Sequence, residues 1–263
     1  MTCHMIFDVK LDGFKRKARL VAGGHMTEAP AVLTYSSVVS RESVRIALTL
    51  AALNDLELKG SDVQNAYLTA PCEEKIWTTL GPEFGEDEGK KALIVRALYG
   101  LKSAGASFNR HISDCLRQMG YQSCKADPDL WLKAVVRPDD GMEYYAYILL
   151  YVDDCLCIHH DAEGALRELD KYFQMKPGSI GDPDIYLGAK LRQVTLDNGV
   201  HAWSASPSKY IQDAINNVER YLAKNYPGRK LKNNNSGPWP SGYVSELDDT
   251  PELDPVKANY YQS

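Results

Sequence analysis

Residues 145–160, YAYILLYVDDCLCIHH, place two adjacent aspartates, Asp153 and Asp154, in a stretch that is apolar at most other positions. Such a run predicts a buried strand. A buried ionised carboxylate without a partner is costly, and a second one beside it adds repulsion. The nearest Lys and Arg residues lie well away along the chain, so a metal cation is the economical source of compensating charge. The alternative is a hairpin turn in which both aspartates face water, because Asp is common in turns.

The composition of the 263-residue chain is that of a globular protein. Apolar residues make up 44% and aromatic residues 10%, which is enough for a core in one large domain or two small ones. Charges are mixed through the N-terminal segment, and no apolar run reaches the roughly 18 residues of a membrane span. We therefore expect no transmembrane segment, no signal peptide and an intracellular location.

The six cysteines form no CxxC pair and no regular framework, which favours reduced thiols over disulfides. Cys155 and Cys157 should share one face of a strand, although their spacing is not typical of zinc sites. The formal net charge of −5 is concentrated in residues 241–263, so the rest of the chain is near neutral. This disfavours a protein that coats nucleic acid through bulk charge. Residues 10–19 form a local basic cluster, suited either to contact phosphates or to cover a solvated hairpin.

Hydrophobic spacing and turn residues predict an α+β fold in which an antiparallel sheet is backed by helices. Hairpin turns are predicted where Gly follows Asp or Asn, namely at 12–13 and 197–199. Helices are predicted to begin at capping residues, namely Ser40, Asp161 and Ser206. A further amphipathic helix should end at Gly120. Residues 226–263 are rich in Pro, Gly, Asn and Ser over much of their length, which is typical of a linker or disordered tail.

Two further segments extend the aspartate pair into a wider pattern. SDVQNAYL (61–68) places an aspartate, Asp62, at a strand end with a tyrosine five residues on, and RALYGLKSAGASF (96–108) leads through a glycine turn into a helix. Taken in order with YVDD (151–154) and YLGAKL (186–191), these segments resemble the polymerase motifs of reverse transcriptases. The version found here is similar to that of copia-type long-terminal-repeat retrotransposons.

The resemblance implies an RNA-directed DNA polymerase, with a reverse-transcriptase palm, partial fingers and a partial C-terminal thumb or connection segment within residues 1–225. Two-metal nucleotidyl transfer from a deoxynucleoside triphosphate to a primer 3′-hydroxyl requires carboxylates that hold two Mg²⁺ ions, or Mn²⁺ in their place. The implied catalytic residues and metal ligands are Asp62, Asp153 and Asp154.

By the same resemblance, other residues surround the substrates. The implied nucleotide-binding residues are Lys17, Arg19, Tyr67, Tyr99 and Gly100. The implied primer-contacting residues are Tyr151, Tyr186, Leu187 and Gly188. The ring of Tyr67 would exclude a ribose 2′-hydroxyl, with an ordinary core tyrosine as the alternative, and the hairpin residues could equally be hairpin core. Lys176 is interpreted as a surface lysine in preference to a proton donor for pyrophosphate.

The implied partners are an RNA or DNA template-primer, the nucleotide and the remainder of a Pol polyprotein, whose integrase and ribonuclease H regions are absent from this chain. The expected location is the cytoplasm, or virus-like particles, without a membrane partner. Gly23, Ser103 and Gly105 stand where the family usually has Lys, Gln and Pro. An inactive folded remnant, a two-metal nuclease or cyclase, and a nucleic-acid-binding module without chemistry are the alternative functions.

Overall fold

The computed structural model describes residues 1–10, 15–27, 30–231 and 255. Within these residues the α-helices are Arg41–Leu53 (α1), Ala66–Thr69 (α2), Ala104–Gln118 (α3), Ala162–Asp170 (α4) and Ser208–Asn225 (α5). The strands are Cys3–Lys10 (β1), Lys15–Ala22 (β2), Glu57–Asp62 (β3), Trp77–Thr79 (β4), Lys91–Leu93 (β5), Gln122–Ser123 (β6), Leu130–Val136 (β7), Glu143–Tyr151 (β8), Asp154–His159 (β9), Ile185–Tyr186 (β10), Ala189–Thr195 (β11) and His201–Ser206 (β12). This mixture of helices and antiparallel strands agrees with the predicted α+β class.

The central element is a five-stranded antiparallel sheet with strand order β3-β9-β8-β7-β6. It lies in the first of two compact units, Met1–Tyr210; the second unit is Ile211–Ser263. The apolar run at residues 145–160 forms most of β8 and all of β9, and these strands pair with Leu149 opposite Leu156. The adjoining parts of the two strands, 146–150 and 155–158, are apolar and buried at every position because both faces of the sheet are covered there.

Alternate side chains of these strands enter two separate cores. Cys155 and Cys157, together with Ile148, face a core that includes α3 and α4. Leu156 and Ile158 face the opposite core, which includes α1. The predicted placement of the two cysteines on one strand face is therefore correct, and all described cysteines are free thiols.

Local signals set the helix ends. The side chain of Ser40 accepts a hydrogen bond from the backbone N–H of Ser43 at 3.1 Å, and Asp161 does the same for Gly164 at 2.8 Å. These are the predicted N-caps of α1 and α4. Helix α3 ends just before Gly120, whose φ of +86° is the left-handed conformation that commonly terminates helices.

Some elements differ from the predictions or lie beyond the described residues. Strand β7 is not predicted, although its sequence, LWLKAVV, is apolar at every position except Lys133. Helix α5 begins at Ser208, slightly later than the predicted cap at Ser206. The predicted turn at 12–13 lies outside the described residues, although β1 and β2 pair antiparallel on either side of it.

Most of the predicted tail, 226–263, also lies outside the described residues, and the domain boundaries stay a prediction. In the part of the chain that is described, no helix combines the length and apolar character needed to cross a membrane.

Candidate active site

Sheet register brings the three aspartates to one end of the central sheet. On the edge strand β3, Asp62 is the direct partner of Asp154 on β9. The next backbone N–H, that of Val63, donates to the carbonyl of Asp153 at 2.9 Å. Two segments that are far apart in sequence thus place three carboxylates beside one another.

The turn between β8 and β9 has an unusual backbone. Tyr151 pairs with Asp154, which leaves Val152 and Asp153 as a two-residue hairpin loop. Val152 has a φ of +56°, and a positive φ at the first loop residue alone matches a type II′ turn. A β-branched residue rarely adopts this conformation, and such strain is concentrated at functional sites. A hairpin turn is therefore present, but Val152 and Asp153 form it in place of the two aspartates, and it presents carboxylates at the end of the sheet.

The pKa of Asp154 is perturbed by its surroundings. Although Asp154 is exposed as a whole residue, partial desolvation of its carboxyl group and the charges of Asp153 and Asp62 raise its pKa to about 6. The charge of Lys176 opposes this shift. A raised pKa means that the folded protein resists a full negative charge at this position, as expected when like charges are brought together.

A lysine that the sequence analysis treats as a surface residue contacts this cluster. The Nζ of Lys176 lies 2.6 Å from Oδ2 of Asp62, and its backbone N–H donates to the Asp62 carbonyl at 2.9 Å. The hydrogen bond between the Lys176 side chain and the Asp62 carboxylate raises the pKa of Lys176. The side chain of Lys176 is 53% exposed, so its surface position is as predicted. Its ion pair with Asp62 has no signal in the local sequence, because the pair forms only when the segment after α4 returns to β3.

Carboxylate oxygens suit a divalent cation, but the three carboxylates are not already arranged around one metal position. Among the described residues, no group of three or more His, Cys, Asp or Glu side chains is arranged to hold a metal ion. The carboxylate of Asp62 is directed to Lys176 instead. Carboxylate oxygens are the ligands that Mg²⁺ prefers, and Mg²⁺ usually binds through one or two of them together with substrate phosphates. The residues therefore fit such an ion by chemical type.

Three of the implied nucleotide-binding residues, Tyr67, Tyr99 and Arg19, lie near the turn aspartate. The rings of Tyr67 and Tyr99 are 4.8 Å apart between centroids. Burial raises the pKa of the Tyr99 phenol, the charge of Asp153 raises it further, and Arg19 lowers it. Burial and then Asp153 also raise the pKa of Tyr67. Two tyrosines, an arginine and the turn aspartate are therefore close enough to influence one another.

A close backbone contact with the Tyr99-Gly100 turn fixes the end of β2, the strand that carries Arg19. The backbone N–H of Ala22, at the end of β2, donates to the carbonyl of Tyr99 at 2.7 Å. Gly100 has a φ of +89°, and a Cβ atom there would lie 2.2 Å from the Ala22 carbonyl oxygen. Only glycine fits this turn without displacement. Lys17 lies two residues before Arg19 on β2, so both side chains leave the same face of the strand.

The implied primer-contacting residues divide into two groups. Tyr151 is 38% exposed beside the turn aspartates. Tyr186, in contrast, is buried, and its hydroxyl donates to the Leu149 carbonyl at 3.3 Å. Leu187 and Gly188 form the loop between β10 and β11 with φ values of +51° and +75°, as a type I′ turn requires. Tyr186 thus anchors this hairpin to the central sheet, and Leu187 of its loop packs against the same core while Gly188 is exposed.

The three departures from the family pattern lie outside the carboxylate cluster. Ser103 is buried and its hydroxyl donates to Glu74. The backbone N–H of Gly23 donates to the Thr2 carbonyl at 3.0 Å. A Cβ atom at Gly105 would meet only Ser36, at 3.6 Å. None of these contacts involves an aspartate of the sheet end.

Carboxylates at a hairpin turn and a neighbouring strand end, flanked by tyrosines and an arginine, are typical of enzymes that handle phosphate groups with divalent cations. The chain belongs to the reverse transcriptase (RNA-dependent DNA polymerase) family, whose model matches residues 3–227. This confirms the resemblance to the reverse transcriptases of copia-type retrotransposons.

Named relatives agree with this family. The retrovirus-related Pol polyprotein from transposon TNT 1-94 of Nicotiana tabacum is 31% identical over 238 residues, which cover 86% of this chain and 17% of that protein. The retrovirus-related Pol polyprotein from transposon RE1 of Arabidopsis thaliana is 27% identical, covering 84% and 15%. The truncated transposon Ty1-A Gag-Pol polyprotein of Saccharomyces cerevisiae is 27% identical, covering 68% and 14%. The chain thus spans about a sixth of the length of these relatives.

Proposed function

We propose that this chain is the palm and fingers of an RNA-directed DNA polymerase that extends a primer with deoxynucleoside triphosphates. The observation that carries the proposal is the register of β3 and β9, which sets Asp62 opposite Asp154 and next to the Val152-Asp153 turn. In this assignment the central sheet with α3 and α4 is the palm, and the β1–β2 hairpin belongs to the fingers. The β10–β12 sheet and α5 begin the thumb or connection segment.

Asp62, Asp153 and Asp154 are the residues that would hold two Mg²⁺ ions. When bound, such ions supply a lower pKa at the primer 3′-hydroxyl and a positive charge for the triphosphate. The protein contributes the placement of the carboxylates. The turn at Val152 places Asp153 at the end of the sheet, and the pairing of β3 with β9 sets the position of Asp62.

Residues of β2 and of the two tyrosine segments would bind the nucleotide. Arg19 and Lys17 lie on one face of β2 and supply positive charge for the triphosphate. Tyr99 and Gly100 form the turn onto which β2 docks. Tyr67 packs against Tyr99 and lies within the electrostatic influence of Asp153. In this proposal its ring would exclude a ribose 2′-hydroxyl by contact.

The primer end would lie between the turn aspartates and the β10–β11 hairpin. Tyr151 is exposed at the first of these, and Leu187 and Gly188 form the loop of the second. Tyr186 supports the hairpin from inside, through its buried hydrogen bond to Leu149. The template-primer would be RNA or DNA, and the remainder of a Pol polyprotein would supply the other activities of the element.

A primer-extension assay tests the proposal. The purified chain is incubated with a DNA primer on a homopolymer RNA template, the complementary deoxynucleotide and Mg²⁺. We expect extension that stops when the ion is chelated and that Asp153→Asn abolishes. Asp182→Asn, which removes a carboxylate outside the site, is the matched control. A folded protein that binds template-primer without extending it would instead identify an inactive remnant, and cleavage of the duplex without nucleotide would identify a nuclease.

A further inference from the structure

Lys176 is bound to Asp62 at more than one point. The residue before it, Met175, forms an antiparallel bridge with Val63. The backbone N–H of Lys176 and the hydroxyl of Ser179 donate to the Asp62 carbonyl at 2.9 and 3.3 Å. The segment after α4 is thus hydrogen-bonded to the strand end that carries the carboxylate, and the Lys176 side chain needs only to fold back to reach it.

The ion pair itself occupies the carboxylate that a metal ion would need. Lys176 Nζ and Asp62 Oδ2 are 2.6 Å apart, with side-chain exposures of 53% and 29%. A lysine ammonium is a compact charge on a flexible stem, so it can leave the carboxylate without any change in the backbone. Repulsion between the ammonium and an incoming cation adds to the direct competition for oxygen atoms.

We propose that Lys176 is an internal counter-cation of the aspartate cluster, which a divalent cation must displace from Asp62 in order to bind. This inference rests on the proposed function, because it takes Asp62 as a metal ligand. It makes Lys176 a positioning residue that keeps Asp62 neutralised while the site is empty of substrate. It also opposes binding of a metal ion alone, so that tight metal binding would require the phosphates of the nucleotide as well.

The first test measures the binding of Mn²⁺ alone, through the electron paramagnetic resonance signal of the free ion. Removing the charge with Lys176→Met or Lys176→Gln should lower the Kd for Mn²⁺ about two- to fivefold, the range expected for a partly exposed ion pair. Lys176→Arg should stay near the wild type. Lys59→Met is the matched control, because Lys59 forms a similar ion pair with Asp182 at 2.7 Å, outside the cluster.

The second test follows the amine directly. Acylation of lysines, quantified by mass spectrometry, should modify Lys176 faster when Mn²⁺ is added, because the amine is released from Asp62. Modification of Lys59 should not change, since its partner is not part of the cluster.

The outcomes separate this inference from the proposed function. If Asp62→Asn weakens Mn²⁺ binding but both neutral Lys176 variants bind Mn²⁺ as the wild type does, the metal assignment stands and the counter-cation role is wrong. If Asp62→Asn leaves Mn²⁺ binding unchanged, the metal assignment fails, and this inference fails with it. Tighter Mn²⁺ binding in both neutral variants, together with binding near that of the wild type in Lys176→Arg, supports the counter-cation role over a purely structural ion pair.

Discussion

The two ends of strand β9 are both polar, but they satisfy their polar groups in different ways. At the end that contains His159, the partners are internal. The Tyr144 hydroxyl lies 2.6 Å from Nδ1 of His160 and accepts the His160 backbone N–H at 3.0 Å. The Asp161 backbone N–H donates to Nδ1 of His159 at 2.9 Å. We call this the histidine end.

We call the other end the carboxylate end. There the charges of Asp153 and Asp62 help to raise the pKa of Asp154, and Lys176 forms an ion pair with Asp62. Burial shifts titration at both ends towards the neutral form: the pKa of Asp154 rises to about 6 and that of His159 falls to about 4. The difference lies in the neighbours. Hydrogen bonds within the protein satisfy the polar groups of the histidine end. The negative charge of the carboxylate end is only partly compensated, by Lys176, as expected where an external cation binds.

The largest expected effect is the loss of activity on changing the carboxylate end. Asp153→Asn or Asp62→Asn should reduce primer extension at least about a hundredfold, because under the proposed function each would remove a ligand of an ion that contributes several kcal/mol to the transition state. In metal-free buffer Asp153→Asn should melt at the same temperature as the wild type or slightly higher, since one repelling charge is gone. Primer extension and thermal unfolding measure the two effects separately.

The histidine end supplies the control for this prediction. His159→Gln should leave primer extension within about twofold of the wild type, in line with a site away from the chemistry. Undiminished extension by either aspartate variant would refute the assignment of the carboxylate end as the catalytic site. Equal losses from both ends would show that the assay reports general damage to the sheet.

The second prediction concerns Tyr67, which lies beside the carboxylate end. If its ring blocks a ribose 2′-hydroxyl, Tyr67→Ala should raise the ratio of ribonucleotide to deoxyribonucleotide incorporation by about tenfold or more, because the clash disappears with the ring. Absolute activity should fall as well. The ratio of the two efficiencies is therefore the quantity to measure.

Tyr67→Phe is the matched control, because it keeps the ring and should keep the ratio. If Tyr67 acts only as a packing residue against Tyr99 and Phe108, truncation should cost up to roughly 3 kcal/mol of unfolding free energy and leave the ratio unchanged. An unchanged ratio in a folded Tyr67→Ala variant would remove the gate assignment.

The parts of the fold that were predictable depend on local signals. Ser40 and Asp161 cap their helices within three residues, so the sequence shows both partners of each hydrogen bond. The strands on either side of Asp153 were recognisable because apolar side chains follow one another directly before and after the aspartate pair. Strand β7 has no polar and apolar alternation that would fix its type, and its role in the sheet follows only from its pairing with β8.

The site was predictable only in part, for the same reason. Asp62 and Asp153 were linked through a family resemblance, since no local pattern indicates that β3 pairs with β9. The ion pair between Lys176 and Asp62 depends on how the segment after α4 returns to the sheet. Burial of Tyr186 likewise depends on where the β10–β11 hairpin docks, which its own sequence does not specify.

A smaller effect is expected when the histidine end loses its internal partner. Tyr144→Phe removes the hydroxyl that contacts the ring and the backbone N–H of His160. Unfolding free energy should fall by about 1 kcal/mol, the usual net value of such a hydrogen bond, while primer extension stays unchanged. Tyr145→Phe is the matched control, because Tyr145 is 56% exposed and lies next to it on β8. An equal loss in both variants would contradict the role given to Tyr144.

The smallest expected effect is a change in how stability depends on pH. Burial, with smaller contributions from the charges of His160 and Lys133, lowers the pKa of His159 to about 4, although Asp161 opposes this shift. The ordinary histidine pKa is about 6.5, so between these two values the unfolded chain takes up a proton that the folded chain rejects. His159 should therefore make stability fall as pH drops from about 6.5 to about 4, while the raised pKa of Asp154 acts in the opposite direction. In His159→Gln that slope should be shallower, whereas His4→Gln, which changes an exposed histidine on β1, should leave it unchanged. Denaturant unfolding at a series of pH values in metal-free buffer measures the slope. A slope in His159→Gln as steep as that of the wild type would show that His159 is not the group that resists protonation at this end of β9.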